Sequence, residues 1–392
     1  MTPHTPAIPA PSYSLIQRRP ISSLLASILA TVALAAQAEE DRKLNLLVTG
    51  DYLNNTDGGI READRFLSNV DLWTRWQPDS WRGKDLSVYV HGSYNEGESF
   101  SADVVGDTQI VSSIEANQAT RLYQAYIEHG SETEDRGLLF GLWDLNSRID
   151  VIEPALLFVN SSHGIGAEFA LSGERGPSIF PVTALALYGH TRVGDRTTLR
   201  GAILDGVAGG PERPARTDID LSESDGALLV AEGSYRVDER WIVKAGAWHY
   251  TSDFEVIDGD GGSEYSNGIY GSLAGEILPG TLSTWVRYGV ASEEVQAVGS
   301  YFGTGLVWDG IPGDLNDRAG IAVAAAFAGE PLRDRGASRA ETNIELTYSV
   351  QVTPWLRLQP DIQYIFNPGL DEGLDNALVI GLRIELFKQV IW

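Results

Sequence analysis

The stretch Leu356–Phe366 reads LRLQPDIQYIF, and two kinds of residue alternate along it. Its mostly apolar face carries Leu356, Leu358, Pro360, Ile362, Tyr364 and Phe366. Its mostly polar face carries Arg357, Gln359, Asp361, Gln363 and Ile365. Because successive side chains of a β-strand point to opposite faces, this period of two predicts a strand with one apolar and one wet face.

Similar segments of about ten residues recur along the chain, and no amphipathic helix of usual length competes with them. Alternation is especially clear in Val70–Trp76, Thr342–Val350 and Ala377–Leu386. The predicted strands lie near residues 44–52, 66–76, 85–94, 120–129, 137–145, 181–190, 197–205, 226–236, 241–250, 268–277, 282–291, 301–309, 319–328, 340–350, 356–366 and 377–388. The sequence therefore predicts an all-β protein of about sixteen strands.

The connections between these strands alternate between long and short. The long ones are LNNTDGGIREADR, 95–119, 146–180 and 206–225, and the short ones are QPDSWRGK, SETEDRG, TRVGDR and VDER. The alternation weakens past residue 300, where GIPGDLNDR is not short. Membrane barrels have short periplasmic turns and long outer loops, so the pattern favours a transmembrane antiparallel β-barrel.

The N-terminal segment has the features of a secretory signal peptide. Arg18 and Arg19 precede an apolar run from Ile21 to Ala36, and Ala36-Gln37-Ala38 fits the small-x-small cleavage rule. The run is shorter than the roughly 20 apolar residues that a membrane helix needs. We therefore predict a signal peptide at 1–38 and an outer-membrane barrel domain at 39–392.

Composition narrows the class of protein further. The formal charge of −25 becomes −27 once Arg18 and Arg19 are removed, which argues against nucleic acid as a partner. The absence of cysteine excludes disulfides and thiolate sites. The 42 glycines, 10 tryptophans and 15 tyrosines suit tight β-turns and the aromatic girdles of a membrane barrel.

The long connection at 146–180 differs from an ordinary turn. Several glycines allow sharp bends, the segment ALLFVNSS is apolar, and charges of both signs are interspersed. We expect the apolar part to pack on the barrel wall and the loop to fold into the lumen, where it narrows the channel. The alternative is an ordinary surface loop.

Several long motifs in a fixed order resemble the carbohydrate-selective porins of the OprB type. They are GLWDLNSRIDVIEPALLFVNSSHGIGAEFALSGERGPSIFPVTALALYG at 141–189, SSIEANQATRLYQAYIE at 112–128, DGALLVAEGSYR at 225–236 and ELTYSVQVTPWLRLQPDIQYIFNPG at 345–369, followed by NALVIGLRIEL. The resemblance runs from about Leu44 to Leu386. It implies a sixteen-stranded, multi-pass barrel of the bacterial outer membrane, with a narrow arginine-bearing constriction.

The same resemblance implies a function and a set of partners. The function is facilitated diffusion of monosaccharides and related small sugars into the periplasm, without enzymatic activity or a cofactor. The expected partners are the sugars, outer-membrane lipid and lipopolysaccharide, and the outer-membrane assembly machinery.

Strand parity and loop position nominate the residues that line the pore. The candidates are Asp71, Trp73, Arg75, Arg148, Glu153, Arg357, Asp361 and Arg383. Guanidinium groups offer several fixed donors to sugar hydroxyls, and aromatic rings can stack on the apolar face of a pyranose. The alternative is that each arginine pairs with a lumen carboxylate, such as Asp71, Asp361 or Glu385, and only fills space.

Other functions remain open at this point. One is an outer-membrane barrel enzyme of the lipase kind, another a general small-solute porin without sugar preference, and a third a soluble exported protein that binds glycans. The absence of a G-x-S-x-G motif argues against the enzyme, and an apolar strand face argues against the soluble protein. Residues 258–262, DGDGG, lack the ligand spacing of a calcium loop, so no metal site is predicted.

The C-terminus departs from the pattern of the family, whose members usually end on an outward-facing aromatic residue. Lys388 holds that position here. Trp392, four residues after Lys388, has the same parity as Leu386. This substitution puts the register of the last strand in doubt.

The parity assignment also predicts the effect of added charge. Lysine at Leu346 or Leu358 should destabilise a lipid-facing position, and lysine at Thr347 or Gln359 should be tolerated in the lumen.

Overall fold

The computed structural model describes residues 43–78, 81, 85–209, 219, 224–257, 261–310 and 317–391. The predicted signal peptide at 1–38 and the terminal Trp392 lie outside this part of the chain. The described residues form a closed antiparallel barrel in which each strand pairs with the next and the last pairs with the first. Its strands are β1 (Lys43–Gly59), β2 (Ala63–Trp76), β3 (Leu86–Glu96), β4 (Ala119–His129), β5 (Arg136–Trp143), β6 (Ala184–Val193), β7 (Thr197–Asp205), β8 (Ala227–Arg236), β9 (Trp241–Glu255), β10 (Ser263–Leu278), β11 (Leu282–Ala291), β12 (Val298–Asp309), β13 (Arg318–Ala328), β14 (Ala340–Thr353), β15 (Leu356–Phe366) and β16 (Asp375–Ile391).

Sixteen strands at the predicted places confirm the all-β barrel. Closure is made by β1 and β16, which pair without interruption from Lys43↔Ile391 to Asn55↔Val379. Lys388 stands opposite Leu46 within this run. The lysine therefore leaves the register of the described part of the last strand regular.

The two faces of the strands match the expected wet and apolar faces. On β14, Glu341, Asn343 and Glu345 are fully buried inside the barrel, whereas the next residue, Leu346, is 53% exposed on the outside. An apolar exterior and a polar interior are the arrangement that lipid imposes on a barrel. Within the described residues, no helix is both long and apolar enough to cross a membrane.

The connections confirm the predicted asymmetry with one correction. The first, expected to be long, comprises only residues 60–62, because β1 and β2 extend into LNNTDGGIREADR. Asn55 Nδ2 closes that turn by donating to the carbonyl oxygens of Gly58 (2.7 Å) and Arg61 (3.0 Å). Gly58 and Gly59 both have positive φ there, a conformation that favours glycine.

The two longest fully described connections leave the same end of the barrel and fill its lumen. We call them the outer loop (97–118) and the inner loop (144–183). A sixteen-stranded barrel is too wide for wall side chains alone to fill, so loops supply the remaining core. Phe169 of the inner loop stacks on Trp248 of β9 with ring centroids 5.2 Å apart, and Trp143 and Tyr188 belong to the same buried cluster.

Candidate functional site: the channel lumen

The inner loop is fixed inside the barrel by one buried ion cluster. Arg287, on β11, donates to Asp150 through Nε (2.9 Å) and Nη2 (2.6 Å). The same guanidinium donates to Glu168 through Nη1 (3.0 Å) and Nη2 (2.9 Å). All three side chains are almost completely buried. One wall residue thus joins two points of the loop that lie eighteen residues apart in sequence, Asp150 and Glu168.

Further wall residues bind the backbone of the inner loop. Glu345, on β14, accepts from the amides of Val159 (2.6 Å) and Asn160 (3.0 Å). Gln359 Nε2, on β15, donates to the carbonyl of Leu157 at 2.7 Å. Because these amides and carbonyls are buried away from water, they need hydrogen-bond partners from the wall.

The apolar part of the inner loop packs on the wall as the sequence predicts. Leu157 and Phe158 share a buried cluster with Trp285, Val307 and Ala322 of β11, β12 and β13. Phe158 and Trp285 have ring centroids 5.4 Å apart. The contacts of this segment with strands far from β5 and β6 confirm that the loop folds inward.

The outer loop also enters the lumen, which the sequence did not predict. Its Ser113 amide donates to the carbonyl of Val159 at 2.8 Å, and the Ser161 amide donates back to the carbonyl of Ile110 at 3.0 Å. Glu341, on β14, accepts from the amide of Gln109 at 2.9 Å. The two loops therefore form one connected layer across the barrel.

A cavity of about 710 Å³ opens above this layer, and we call it the outer vestibule. Both loops line it with a mainly apolar surface that includes Ile110, Leu156 and Phe180. Among the residues of its lining, Arg383 is the one that belongs to a strand. The vestibule thus meets the barrel wall at one guanidinium group.

Arg383 is held in place by Asp51 on the neighbouring strand. Its Nε and Nη2 donate to the two carboxylate oxygens of Asp51, each at 2.8 Å, and Nη2 also donates to Ser113 Oγ at 3.1 Å. Ser112 Oγ donates to the same aspartate at 2.6 Å. Such a two-pronged pair fixes the guanidinium plane as well as its position.

Below Arg383, the inward face of the barrel is uncovered along β15, β16, β1, β2 and β3. Arg357 is one of the exposed polar groups there, with 45% of its side chain accessible, and it faces Glu385 across 3.5 Å. Phe387 and Trp73 follow, with ring centroids 6.4 Å apart. We call this surface, from Arg357 and Glu385 through Phe387 and Trp73 to Arg75, the open wall.

The open wall ends at a cluster of cations and aromatic rings. Arg75 pairs with Glu128, donates to Tyr126 Oη at 2.9 Å, and lies over the rings of Tyr89 and Tyr126. Arg148 reaches the same glutamate from the inner loop at 2.7 Å. The structure therefore brings Arg75 and Arg148 together around one carboxylate.

Three of the remaining candidates occupy different surroundings. Asp71 lies on the inward face beside His91, whose Nε2 is 2.9 Å from Asp71 Oδ1. Glu153 is exposed on the inner loop. Asp361 faces inward but is only 1% exposed and accepts from Gln363, so a passing solute would not meet it.

The predicted lysine sites in the lumen need the same distinction. Thr347 and Gln359 face inward, but both are buried beneath the inner loop, and Gln359 Nε2 donates to Thr347 Oγ1 at 2.9 Å. An inward position is therefore not necessarily open to water.

Two loop side chains have strongly altered acidity. Burial raises the pKa of Asp144 at the vestibule to about 6, although Tyr123 Oη donates to its carboxylate at 2.6 Å and works in the opposite direction. Complete burial lowers the pKa of His163 to about 3. His163 is therefore neutral at physiological pH even though its Nε2 lies 3.7 Å from Glu345.

The sequence did not single out Arg287, Asp51 or Glu128, on which the arrangement depends. Parity alone places Arg287 on the wet face of TWVRYGV, as it places Arg75 on that of its own strand. Parity does not show that Arg287 contacts the inner loop, because its partners Asp150 and Glu168 lie far from it in sequence.

Comparison with known families gives one extensive match. A family model described as "Carbohydrate-selective porin, OprB family" matches residues 81–386. Among curated proteins, Porin B of Pseudomonas aeruginosa is 46% identical over 56 residues. That alignment covers 14% of this chain and only 11% of the length of Porin B.

Solved structures agree with the fold. OprB from Pseudomonas putida, determined at high pH, superposes with a TM-score of 0.77 at 19% identity, over 93% of this chain and 97% of that one. The outer membrane channel DcaP of Acinetobacter baumannii gives a TM-score of 0.60 at 10% identity, over 90% and 99% of the two chains. At these identities the similarity shows the barrel fold alone.

Proposed function

The chain belongs to the carbohydrate-selective porin, OprB family, and from this premise we propose that it conducts monosaccharides and related small sugars passively into the periplasm. Its barrel crosses the outer membrane many times. The observation that carries the proposal is the continuity of polar and aromatic groups from the vestibule to the open wall. The mature barrel would begin at Glu39, after removal of residues 1–38, and would reach the membrane through the outer-membrane assembly machinery.

We propose that β16 provides the track along which a solute moves. Arg383, Glu385 and Phe387 follow one another at every second residue and therefore share its inward face. The solute would enter the vestibule, pass Arg383, and descend along the open wall to Arg75. The inner loop would close the opposite side of this path, because the wall behind it is occupied by loop anchors such as Glu345.

The chemistry of this path suits a neutral sugar. Arg357 and Arg75 present guanidinium donors that remain partly exposed, so hydroxyl groups can bind to them without breaking a buried ion pair. Phe387 and Trp73 offer ring faces for the apolar side of a pyranose. Alternating cations and carboxylates give a small net field, which disfavours tight retention of an ion.

The proposal is tested by sugar flux into proteoliposomes. Replacement of Arg75, Arg148, Arg357 or Arg383 by Ala should lower glucose uptake or glucose block of the ion current in at least one variant. Heat-modifiable migration should stay normal in Arg357→Ala, whose partner Glu385 is partly exposed, and it verifies folding in the other three variants. A hydrogen bond from a charged donor contributes about 1.5–3 kcal/mol, so a reduction of about ten-fold or more is expected. Arg335→Ala, which removes an exposed arginine from the β13–β14 connection, is the control.

Two results would replace this proposal by another. Unchanged glucose flux in all four variants, together with equal permeation of sugars and size-matched non-sugar solutes, would favour a general small-solute porin. Release of fatty acid from lipid by the purified barrel would favour the lipase-like alternative. The lipase-like alternative has no specific support among the lumen residues that the structure describes.

A further inference from the structure

The outer surface of the barrel carries a second cavity, of about 560 Å³, where β11, β12 and β13 reach the end with the long loops. Its floor contains Val290, Ser300 and Phe327, which stand side by side in the register of these three strands. These residues face away from the lumen, because the adjacent Tyr301 and Ala326 are buried inside it. The floor therefore lies on the lipid-facing side of the barrel.

The rim of this cavity carries two arginines. Arg333 and Arg339 line it from the connection between β13 and β14, and Arg335 lies nearby without lining it. All three side chains are exposed, and none of them forms an ion pair or a hydrogen bond within the part of the chain that the structure describes. The lumen arginines Arg75, Arg287 and Arg383, in contrast, are paired with carboxylates.

Two carboxylates complete the rim. Glu293 accepts from the amide of Glu330 at 2.9 Å and is partly occupied by that contact, whereas Glu294 is exposed. Guanidinium groups bind phosphate oxygens directly, and carboxylates next to them can share a divalent cation with a second phosphate. The rim is thus suited to a ligand with more than one phosphate.

From this juxtaposition we propose that the groove is a binding site for the phosphorylated glycolipid of the outer leaflet. Its phosphate would lie on Arg333 and Arg339, and an acyl chain would run down over Phe327, Val290 and the exposed Tyr288. The position at the loop end of the barrel places the cations at headgroup height, and aromatic side chains are typical of that level. The inference is independent of the sugar path, because none of these residues faces the lumen.

The experiment uses the folded, detergent-purified barrel and lipid A as the probe. Native mass spectrometry should show lipid A bound to the unaltered protein. Arg333→Gln and Arg339→Gln should each weaken binding about ten-fold, as expected for loss of a charge-assisted hydrogen bond. Arg335→Gln removes the same charge from the same connection outside the groove and should leave the affinity unchanged.

Control ligands and readouts define the outcomes that would overturn the site. Dephosphorylated lipid A should bind weakly to every variant, and inorganic phosphate alone should not compete at equal concentration. An equal loss of lipid A affinity in all three arginine variants would indicate a general charge effect. Competition by inorganic phosphate would show that the site binds phosphate without needing a lipid. Loss of an oligomer in Arg339→Gln without any lipid binding would assign the groove to a second copy of the chain. Single-channel conductance and heat-modifiable migration verify folding, and both should be unchanged in the three variants.

Discussion

Two parts of the barrel wall have the same alternating sequence pattern but perform different tasks. On β8 to β14, inward residues such as Arg287 and Glu345 are buried and bind the inner loop. We call this part the anchoring wall. On the open wall, Arg357, Phe387 and Arg75 remain partly exposed to the lumen.

The difference shows that an arginine on the wet face of a strand has two possible fates. Arg287 contacts two loop carboxylates and has almost no accessible surface, so it acts as a structural tie. Arg357 contacts one partly exposed carboxylate at 3.5 Å and keeps donors free for water or solute. Arg287 therefore serves only to hold the loop, and contact between Arg357 and a solute stays a prediction.

The largest effect is expected from breaking the tie between the anchoring wall and the inner loop. Arg287→Gln would leave Asp150 and Glu168 buried without their cation, which costs about 3–5 kcal/mol. The loop should leave the wall, giving a larger and noisier single-channel conductance. The temperature at which the barrel unfolds and its gel migration changes should fall. The triple variant Arg287→Gln, Asp150→Asn, Glu168→Gln removes the uncompensated charges and should recover part of the stability.

Conductance at the level of the unaltered protein in Arg287→Gln, with normal stability, would mean that this cluster does not hold the loop. A matched change on the open wall, Arg357→Gln, leaves no buried carboxylate without its cation. It should therefore alter solute passage with little effect on stability.

Lysine substitutions distinguish three kinds of surface: lipid-facing, covered by the inner loop, and open to the lumen. Leu346→Lys, on the lipid-facing side, should cost roughly 2–4 kcal/mol near the bilayer midplane. Thr347→Lys should also destabilise the barrel, because its side chain is buried beneath the inner loop. Asn45→Lys, on the partly accessible inward face of β1, should be tolerated. Refolding into lipid vesicles with a urea titration measures all three, and equal stability of the Thr347 and Asn45 variants would contradict the division of the wall.

The smallest effect concerns the charge of the vestibule. Because the pKa of Asp144 is raised to about 6, its carboxylate is neutral at pH 5 and mostly ionised at pH 7. The folded protein holds this proton more tightly than the unfolded chain does, so the stability linked to it is present below pH 4 and is lost as the pH rises to about 6. Cation preference, measured by reversal potential in a salt gradient, follows the ionisation of the folded protein and should rise between about pH 5 and pH 7.

Asp144→Asn keeps the shape of the side chain and should flatten this pH dependence. If the Asp144→Asn channel and the unaltered channel gave identical pH profiles, the titration would belong to another group. His163 is not expected to contribute between pH 5 and 7, since its pKa is lowered to about 3.

The sequence was sufficient for the barrel because its signals are local. The alternation in Leu356–Phe366 and the lengths of most connections depend on neighbours within a strand or a turn. The error at the first connection has the same origin: LNNTDGGIREADR contains turn residues, but its flanks continue the ladder of β1 and β2. Turn composition alone does not show how far two paired strands extend.

The lumen was harder to predict because it depends on contacts between distant segments. Parity correctly placed Asp361 and Arg357 on one inward face of β15, yet Asp361 is buried under the loops and Arg357 is open. The entry of the outer loop into the lumen rests on pairs such as Ser113 with Val159 and Gln109 with Glu341, which no periodicity reveals. Which wet positions form a pore is therefore decided by the loops.

The most direct test of this division uses the absence of cysteine from the chain. Single cysteines at Phe387, on the open wall, and at Thr347, beneath the inner loop, can be exposed to a charged methanethiosulfonate reagent while the ion current is recorded across a bilayer. We expect the Phe387→Cys channel to be modified quickly, with a stepwise loss of current that glucose slows, and the Thr347→Cys channel not to be modified. Equal modification rates at the two positions, or modification of Phe387→Cys without any change in current, would contradict a solute path along the open wall.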